Sequence, residues 1–417
     1  GNMINYYRYK ENYLFSFQEY EFEKIHEEEI KNSKEKLYFL NKLDPIESRR
    51  NYLINHPALL FIDKEGVELL LLEEKDYLNF IPTWIIDKIN RNLVVSLNTY
   101  YPNWEDVFNQ KNNKKWKVNL LALGDLGSTL LIGLRLLGED CIDKIGIYDR
   151  NPNRLKRWEY ELNQIRKPFD EEAFPPVYPL DKDELFDCDI FLFCASKGIP
   201  PVGSNIDDVR MAQFESNSEI IKEYAVMARN KKFKGIFAVV SDPVDLLCKV
   251  AFLESNKNEK NKYDFLGLAS NQIIGYGLGV MNGRASFYAE KSNSTIPYLN
   301  EGRVFGPHGE GLIVANSIDN YNEKLSEYLT YKTLNANKDV RNLGFKPYVA
   351  PSLSSGALSI IATIKGKWFY GSTYMGGVYM GSKCRLVGHQ IEVEQLDMPS
   401  KLFDKIKQTY EMLVNII

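Results

Sequence analysis

The segment at 118–137 constrains the fold more than any other part of this chain. An apolar run at 118–123 leads through Gly124 and Gly127 into a helical pattern at 128–137. Glycines between a strand and a helix allow a tight turn and a close approach of the two elements. The segment therefore predicts one strand, loop and helix unit of an α/β sheet.

The same alternation continues along the chain. Further apolar strands are predicted at 145–148, 190–194 and 235–240, and amphipathic helices at 153–165 and 211–228. Short apolar strands separated by helices are typical of a parallel sheet that is covered on both faces. We therefore predict an α/β fold with a doubly wound parallel sheet.

Composition excludes several classes of protein. The chain has 417 residues, too many for one small core, and its 52 Lys and Arg against 56 Asp and Glu give no basic footprint for a nucleic acid. No apolar run reaches the length of about 20 residues that spans a bilayer, and the first residues lack the pattern of a signal peptide. We expect no nucleic-acid partner, no membrane partner, and a cytoplasmic protein with reduced cysteines.

The loop after the first strand has the pattern of a dinucleotide-binding loop. Gly124 and Gly127 let the backbone approach a pyrophosphate, which meets the free N–H groups of the helix N-terminus. Ala122 stands where the pattern has its first glycine, and Asp149 ends the next strand, where a carboxylate accepts both ribose hydroxyls and repels a 2′-phosphate. NAD is therefore favoured over NADP. A doubly wound domain without a dinucleotide is the alternative, since Ala122 departs from the pattern and Asp125 adds a negative charge.

Changes of composition divide the chain into three regions. Residues 1–112 are rich in Tyr, Phe, Glu, Lys and Asn, and the polar segment at 109–115 is typical of a linker or an exposed loop. We predict an N-terminal α+β extension at 1–112 and an NAD-binding Rossmann domain at 113–260. Residues 261–417 are richer in glycine and tyrosine and form a third region.

Local patterns at the two ends of the chain predict further elements. In the N-terminal region we predict a charged helix at 17–43 and strands at 58–62 and 67–72, with a turn between the strands. Apolar residues at helical spacing over 400–416 predict a packed final helix.

Four further segments resemble the lactate and malate dehydrogenase family, in the order in which that family has them. They are Arg210 with Asn217 seven residues later, Ser241-Asp242-Pro243-Val244-Asp245, Arg284, and Gly306-Pro307-His308-Gly309-Glu310-Gly311. The resemblance covers residues 116–417. It implies the fold of that family, with an α+β substrate domain, lactate/malate dehydrogenase-like, at 261–417.

Reduction of a 2-oxo acid needs three kinds of group, and the matched residues can supply them. A planar guanidinium such as Arg284 holds a carboxylate bidentately, a second cation such as Arg210 polarises the carbonyl, and a histidine such as His308 donates the proton. The resemblance implies catalytic roles for His308 and Arg210 and substrate binding by Arg284 and Asn217. It implies NAD as the cofactor, held by Ala122, Gly124, Gly127 and Asp149, and no metal.

Two positions depart from the family's pattern. Three residues before the carboxylate-binding arginine the family has an aspartate that orients the histidine, and here Met281 stands there. A thioether cannot take over that task. The asparagine of the family's Ser-Asn-Pro-Val-Asp motif is Asp242 here. Because a carboxylate is lost at one position and gained at the other, we predict that Asp242 is catalytic and orients His308. The alternative is that Asp242 bonds only local backbone.

The loop at 195–210 also differs from the family. It is longer, it lacks the extra arginine by which malate dehydrogenases hold a second carboxylate, and it carries Asp207 and Asp208. Lactate and malate are therefore predicted to be poor substrates. A 2-oxo acid with a cationic or polar tail suits these carboxylates better.

The sequence thus predicts an NAD-dependent oxidoreductase that acts on the CH–OH group of a 2-hydroxy acid, or on the 2-oxo acid, other than lactate or malate. The resemblance further implies a homo-oligomer with a small-molecule substrate. Two alternatives stay open. One is a catalytically silent relative that binds a nucleotide, a metabolite or a protein. The other keeps the redox chemistry but has an imine or amino-acid substrate.

Overall fold

A computed structural model describes residues 3–72, 77–197 and 206–417, apart from the side chains of residues 78 and 206–210. The strands are β1 (Asn5–Tyr9), β2 (Asn12–Ser16), β3 (Glu23–Lys24), β4 (Leu37–Asn41), β5 (Asn51–Leu53), β6 (Val94–Asn98), β7 (Trp116–Leu121), β8 (Ile142–Tyr148), β9 (Val177–Pro179), β10 (Ile190–Phe193), β11 (Ile236–Val239), β12 (Ile273–Gly275), β13 (Arg303–Phe305), β14 (Ile313–Ala315), β15 (Phe369–Met375), β16 (Val378–Val387) and β17 (Gln390–Val393).

Helices connect most of these strands. They are α1 (Glu27–Ile30), α2 (Thr83–Asn90), α3 (Asp125–Leu137), α4 (Pro152–Asn163), α5 (Ile206–Asn230), α6 (Val244–Ser255), α7 (Leu278–Ala289), α8 (Tyr298–Glu301), α9 (Glu323–Asn342), α10 (Ser359–Ile364) and α11 (Ser400–Ile416). A π-helical stretch, Pro351–Leu358, leads into α10. The predicted strands and helices between residues 116 and 240 and the predicted final helix are confirmed, with ends that differ by a few residues.

The sheet of the second and third regions has nine strands in the order β17-β16-β15-β12-β11-β10-β7-β8-β9. Strands β7 to β12 pair in parallel, and β15 to β17 extend the sheet in antiparallel fashion. The sheet therefore runs past residue 260, and the border predicted there does not coincide with a sheet edge.

Both faces of the parallel part are buried. Leu120 and Leu192 face a cluster that includes residues of α3, whereas Leu121 and Phe193 face a second cluster with residues of α5 and α6. Successive strand residues point to opposite faces, so a strand buried on both sides reads as one continuous apolar run. This explains why the predicted doubly wound sheet could be recognised from the sequence.

The N-terminal region forms its own sheet of six strands in the order β3-β1-β2-β4-β6-β5. The helix predicted at 17–43 is wrong: only the four residues of α1 are helical there, and β4 occupies 37–41. The four apolar residues of β4 are all buried, and β4 lies between β2 and β6 in parallel register. Pairing on both sides outweighs the helical preference of the charged residues before it.

The strands predicted at 58–62 and 67–72 are also wrong. Short 3₁₀ helices, Pro57–Phe61 and Val67–Leu70, take their place. Pro57 has no N–H to give to a sheet ladder, and the Nδ1 atom of His56 accepts a hydrogen bond from the N–H of Ala58 at 3.1 Å. This local cap favours a helical turn over an extended chain.

Two expectations from composition concern membranes and thiols. Within the described ranges, no helix combines the length and the apolar character that crossing a membrane requires. All five cysteines are free, and four of them are buried. The buried thiols pack as small apolar side chains.

Candidate functional site

A cavity of about 590 Å³ lies beside the ends of β11 and β12 and is closed on other sides by α7, α9 and α11. The carboxyl ends of parallel strands are where open α/β sheets place their ligands. The polar and charged side chains that line it include Ser196, Gln213, Ser241, Asp242, Asp245, Arg284, His308, Glu310, Asn337, Arg341 and Ser355. Most other wall residues are apolar, so the cavity combines a few charged groups with a large apolar surface.

A close contact between the side chains of Asp242 and His308 lies at the wall of this cavity. The Oδ1 atom of Asp242 lies 2.7 Å from Nε2 of His308. Asp242 follows β11 and precedes α6, and His308 lies in the turn between β13 and β14. The contact predicted from the exchange of carboxylates is therefore present, whereas the catalytic role of both residues stays a prediction.

The two members of this pair differ in exposure. The side chain of Asp242 is 49 % exposed and that of His308 is 20 % exposed. The other ring nitrogen of His308, Nδ1, faces the backbone at Gly277, where an added Cβ atom would lie only 2.9 Å away. Asp242 is thus the more exposed member of the pair, and both residues line the cavity.

Arg284 lies on α7 and also lines the cavity. Burial lowers the pKa of its guanidinium, and the nearby carboxylate of Asp242 partly offsets this by favouring the charged form. The Nη1 atom of Arg284 lies 4.0 Å from Sδ of Met281, one turn earlier on the helix. Arg284 and Asp242 therefore form a positive and a negative group on one cavity wall.

Asp245 is a group at the site to which the sequence analysis gave no role. It lines the cavity, is 5 % exposed, and accepts a hydrogen bond from the hydroxyl of Ser372. Burial raises the pKa of Asp245 to about 6. Its place in the motif after Asp242 was visible in the sequence, but its burial depends on β15, which is far away along the chain.

Asn217 lies next to the segment around Asp242. This residue on α5 is fully buried, and its Nδ2 atom donates a hydrogen bond of 2.7 Å to the main-chain oxygen of Asp242. Asn217 therefore holds the segment around Asp242 in place through Nδ2, and its role in substrate binding stays a prediction. The side chain of Arg210, like those of Asp207 and Asp208, lies outside the described part of the chain.

The glycine loop joins β7 to α3. Ala122 has a positive φ of 80°, the region that favours glycine, at the position where the pattern has its first glycine. A Cβ atom at Gly127 would lie 1.9 Å from the oxygen of Ala122, whereas one at Gly124 would meet nothing within 4 Å. Helix α3 starts at Asp125, whose carboxylate lies 3.8 Å from Nζ of Lys346. Lys346 therefore offsets the negative charge of Asp125.

Asp149 directly follows β8 beside this loop, and its side chain is only 7 % exposed. Its two carboxylate oxygens accept 2.8 Å hydrogen bonds from the N–H groups of Leu123 and Asn151. The Nη1 atom of Arg154 lies 3.7 Å from the same carboxylate. Asp149 thus holds the glycine loop against β8, and the guanidinium of Arg154 lies beside its carboxylate.

Two further parts of the wall come from helices that the motifs do not touch. Arg341 on α9 adds a second arginine, and Met412, Leu413 and Ile416 of α11 add apolar surface. The final helix was predicted only as a packed element. No local signal marks which of its residues face a cavity, because that depends on how α11 docks.

The fold is that of the lactate and malate dehydrogenases: a Rossmann-type parallel sheet with a glycine loop, extended by antiparallel strands. Solved structures agree. A lactate dehydrogenase from a Medee basin deep-sea metagenome library superposes with a TM-score of 0.58 at 18 % identity, covering 73 % of this chain and 98 % of its own. The malate dehydrogenase of Aeropyrum pernix gives 0.59 at 15 % identity, covering 72 % and 96 %.

Curated L-lactate dehydrogenase sequences are also similar to this chain, at low identity. The L-lactate dehydrogenase of Mesomycoplasma hyopneumoniae is 24 % identical over 206 residues, which are 49 % of this chain and 58 % of the relative. That of Macrococcus caseolyticus is 24 % identical over 257 residues, 61 % of this chain and 72 % of the relative. The chain thus spans little more than half the length of the first of these relatives. No family model matches the chain.

Proposed function

We propose that this protein is an NAD-dependent oxidoreductase that moves a hydride to or from the carbon next to a substrate carboxylate. The general substrate class is a 2-hydroxy or 2-oxo acid other than lactate or malate. The observation that carries the proposal is the 2.7 Å contact between Asp242 and His308 on a cavity that Arg284 also lines. An acid–base pair beside a carboxylate-binding cation is what this reaction needs.

The residues around the glycine loop fit a dinucleotide. The open space at Gly124 and the start of α3 suit a pyrophosphate, and the positive φ of Ala122 gives the loop the turn that a first glycine would give. Asp149 would meet the adenosine ribose through the lone pairs that its backbone contacts leave. NAD, when bound, supplies or accepts the hydride.

The chain's own residues would divide the remaining work. Arg284 binds the substrate carboxylate, and its partial burial strengthens that ion pair. The pair of His308 and Asp242 moves the proton at the heteroatom of the reacting carbon. Asn217 holds the Asp242 loop in place through the main-chain oxygen of Asp242. The side chain of Arg210 could add a second cation, as the resemblance implies.

The size of the cavity argues against a small substrate. Its volume of about 590 Å³ must also admit the reactive ring of the cofactor. Beyond that space, α9 and α11 add apolar surface to the wall, and the methyl group of a small substrate would not cover this surface. A larger apolar side chain would cover it. This differs from the cationic or polar tail that Asp207 and Asp208 favour in the sequence.

Titration calorimetry with NADH and NADPH tests the proposal. We expect NADH to bind more tightly, and Asp149→Ser to narrow the difference because a 2′-phosphate would no longer meet a carboxylate. His308→Asn should abolish NADH oxidation by 2-oxo acids without abolishing NADH binding. If neither nucleotide binds, the proposal fails and a silent relative takes its place. A homo-oligomer remains part of the proposal, and light scattering would test it.

A further inference from the structure

Asp242 and Arg284 place a negative and a positive charge on the wall of the cavity, and this arrangement suits a hydroxy acid poorly. Asp242 is the more exposed member of its pair with His308, and Arg284 lies close enough for the two charges to act on each other. A substrate whose carboxylate binds Arg284 therefore places the substituent of the neighbouring carbon near a carboxylate.

A carboxylate at this position discriminates between heteroatoms. The oxygen of a carbonyl group gains negative charge as hydride arrives, and a neighbouring carboxylate opposes that charge. An ammonium or iminium nitrogen is positive, donates hydrogen bonds, and is favoured by the same carboxylate. The family that this chain resembles has an uncharged asparagine where this chain has Asp242.

A second carboxyl group strengthens the negative side of the cavity. Asp245 lines the same wall, and its pKa is raised by burial and, to a smaller extent, by the charge of Asp242. On the opposite side of the ring, Nδ1 of His308 faces the backbone at Gly277. The ring therefore contacts the carboxylate through Nε2, and the carboxylate is the more exposed member of the pair.

We infer that the reacting heteroatom is nitrogen: the site reduces a 2-oxo acid as its iminium with ammonia or an amine, and oxidises the corresponding α-amino acid in reverse. The inference rests on the proposed function: it keeps the hydride transfer beside a substrate carboxylate and the 2-oxo acid, and it replaces the 2-hydroxy acid by the α-amino acid. The zwitterion of an α-amino acid carries a carboxylate for Arg284 and an ammonium group for Asp242. Both groups are bonded to the same α-carbon.

The reaction balances with the cofactor already proposed. In the oxidative direction the ammonium group gives a proton to the pair of Asp242 and His308, the hydride leaves the α-carbon for NAD⁺, and the nitrogen lone pair forms the C=N bond. Water then adds to the iminium carbon and releases the 2-oxo acid and the amine. In sum, 2-oxo acid, ammonium, NADH and a proton give α-amino acid, NAD⁺ and water.

Matched ligands that cannot react separate the two heteroatoms. The protein saturated with NADH is titrated with alanine against lactate, leucine against 2-hydroxyisocaproate, phenylalanine against 3-phenyllactate and glutamate against 2-hydroxyglutarate, all as L-enantiomers. Each pair shares one side chain. We expect the amino acid of at least the best-binding pair to bind roughly tenfold to hundredfold more tightly, as for a hydrogen bond between charged groups.

Two variants and one control variant show which residue causes the preference. Asp242→Asn should remove or reverse the preference for the amino acid, and Arg284→Gln should weaken both members of a pair alike. Glu310→Gln removes another carboxylate from the same wall and should leave the preference in place. Unchanged NADH affinity and circular dichroism show that each variant is folded, and the preference of the unaltered protein is decisive by itself if Asp242→Asn does not fold.

Activity gives a second readout. NADH oxidation with 4-methyl-2-oxopentanoate should rise roughly tenfold or more when ammonium or methylamine is added. Equal or tighter binding of the hydroxy acids, binding of none of the eight ligands, or turnover that does not depend on the amine would overturn the inference. If NADH itself does not bind, the proposed function fails first, so the two failures are distinguishable.

Discussion

Asp245 is a buried carboxyl group, and its burial links the stability of the protein to pH. Its pKa is about 6 in the folded chain, against an ordinary value of 3.8. As the pH rises, the unfolded chain therefore loses this proton first. The stability that the protonated group contributes is fully present below about pH 3.8 and is lost as the pH rises to about 6.

We expect Asp245→Asn to remove this dependence. The amide stays neutral, and its oxygen can still accept the hydrogen bond from Ser372. Urea unfolding should show the variant close to the unaltered protein near pH 4 and more stable by about 3 kcal/mol at pH 7. Asp404→Asn, an exposed change on α11, is the control. Parallel pH curves for the Asp245 variant and the unaltered protein would contradict the expectation.

Single residues of the site could be predicted to different degrees. The contact between Asp242 and His308 followed from one carboxylate lost and one gained at positions that a family motif places together. The burial of Asn217 and of Asp245 did not follow, because each depends on how distant elements pack. A motif gives the position of a residue in the sequence, but not whether its side chain is buried or faces the cavity.

At the scale of elements, the contact of α3 with the π-helical stretch shows how closely the second and third regions pack. A Cβ atom at Gly133 of α3 would lie 2.5 Å from Cβ of Ala357 and 2.8 Å from Cδ2 of Leu353. Real Cβ atoms do not approach so closely. The helix can therefore lie against this stretch only because residue 133 has no side chain.

Gly133→Ala and Gly283→Ala form a matched pair that tests this packing. Both glycines lie inside helices, but a Cβ atom at Gly283 would meet only Oγ of Ser354 at 3.6 Å, an ordinary contact. Gly283→Ala should stabilise the protein by about 0.5–1 kcal/mol through helix propensity. Gly133→Ala should destabilise it by about 1–3 kcal/mol through overpacking. Denaturant unfolding checks both, and equal effects would show that the π-helical stretch moves aside.

Helices and strands whose apolar residues follow a regular period were predicted correctly, and elements without such a period were not. The buried parallel strands and α11 stand out because their apolar residues follow one period for their whole length. The N-terminal region has short elements, such as β4, whose neighbours in the sheet come from elsewhere in the chain. Its charged and aromatic residues fit more than one period, which is why a helix was predicted at 17–43.

At the scale of the whole molecule, the N-terminal sheet is joined to the rest by specific polar contacts. Nδ2 of Asn51 donates a 2.6 Å hydrogen bond to Oε1 of Gln390, and the hydroxyl of Tyr374 donates to the oxygen of Ile46. The structural relatives leave more than a quarter of this chain unmatched. The sequence could mark the N-terminal region as separate in composition but could not predict where it docks.

Glu65 lies at the centre of this junction. Its buried side chain forms an ion pair of 3.2 Å with Arg49. Its main-chain oxygen lies against the turn between β15 and β16, where Gly376 and Gly377 both have positive φ, 58° and 93°. Two such residues in a two-residue hairpin loop are what a type I′ turn requires. A Cβ atom at Gly376 would lie 2.3 Å from the oxygen of Glu65, whereas one at Gly377 would meet nothing within 4 Å.

Alanine at these two positions separates the turn from the junction. Gly377→Ala should lower the free energy of unfolding by about 1–2 kcal/mol, the cost of a left-handed backbone for a residue with a Cβ atom. Gly376→Ala carries a similar cost and also pushes Glu65 away, so its loss should be larger by about 1–3 kcal/mol. Because that push acts between the N-terminal sheet and the β15–β16 hairpin, only Gly376→Ala should speed limited proteolysis of the segment at 109–115. Equal losses in the two variants, with unchanged proteolysis, would mean that the N-terminal region does not depend on this hairpin for its position.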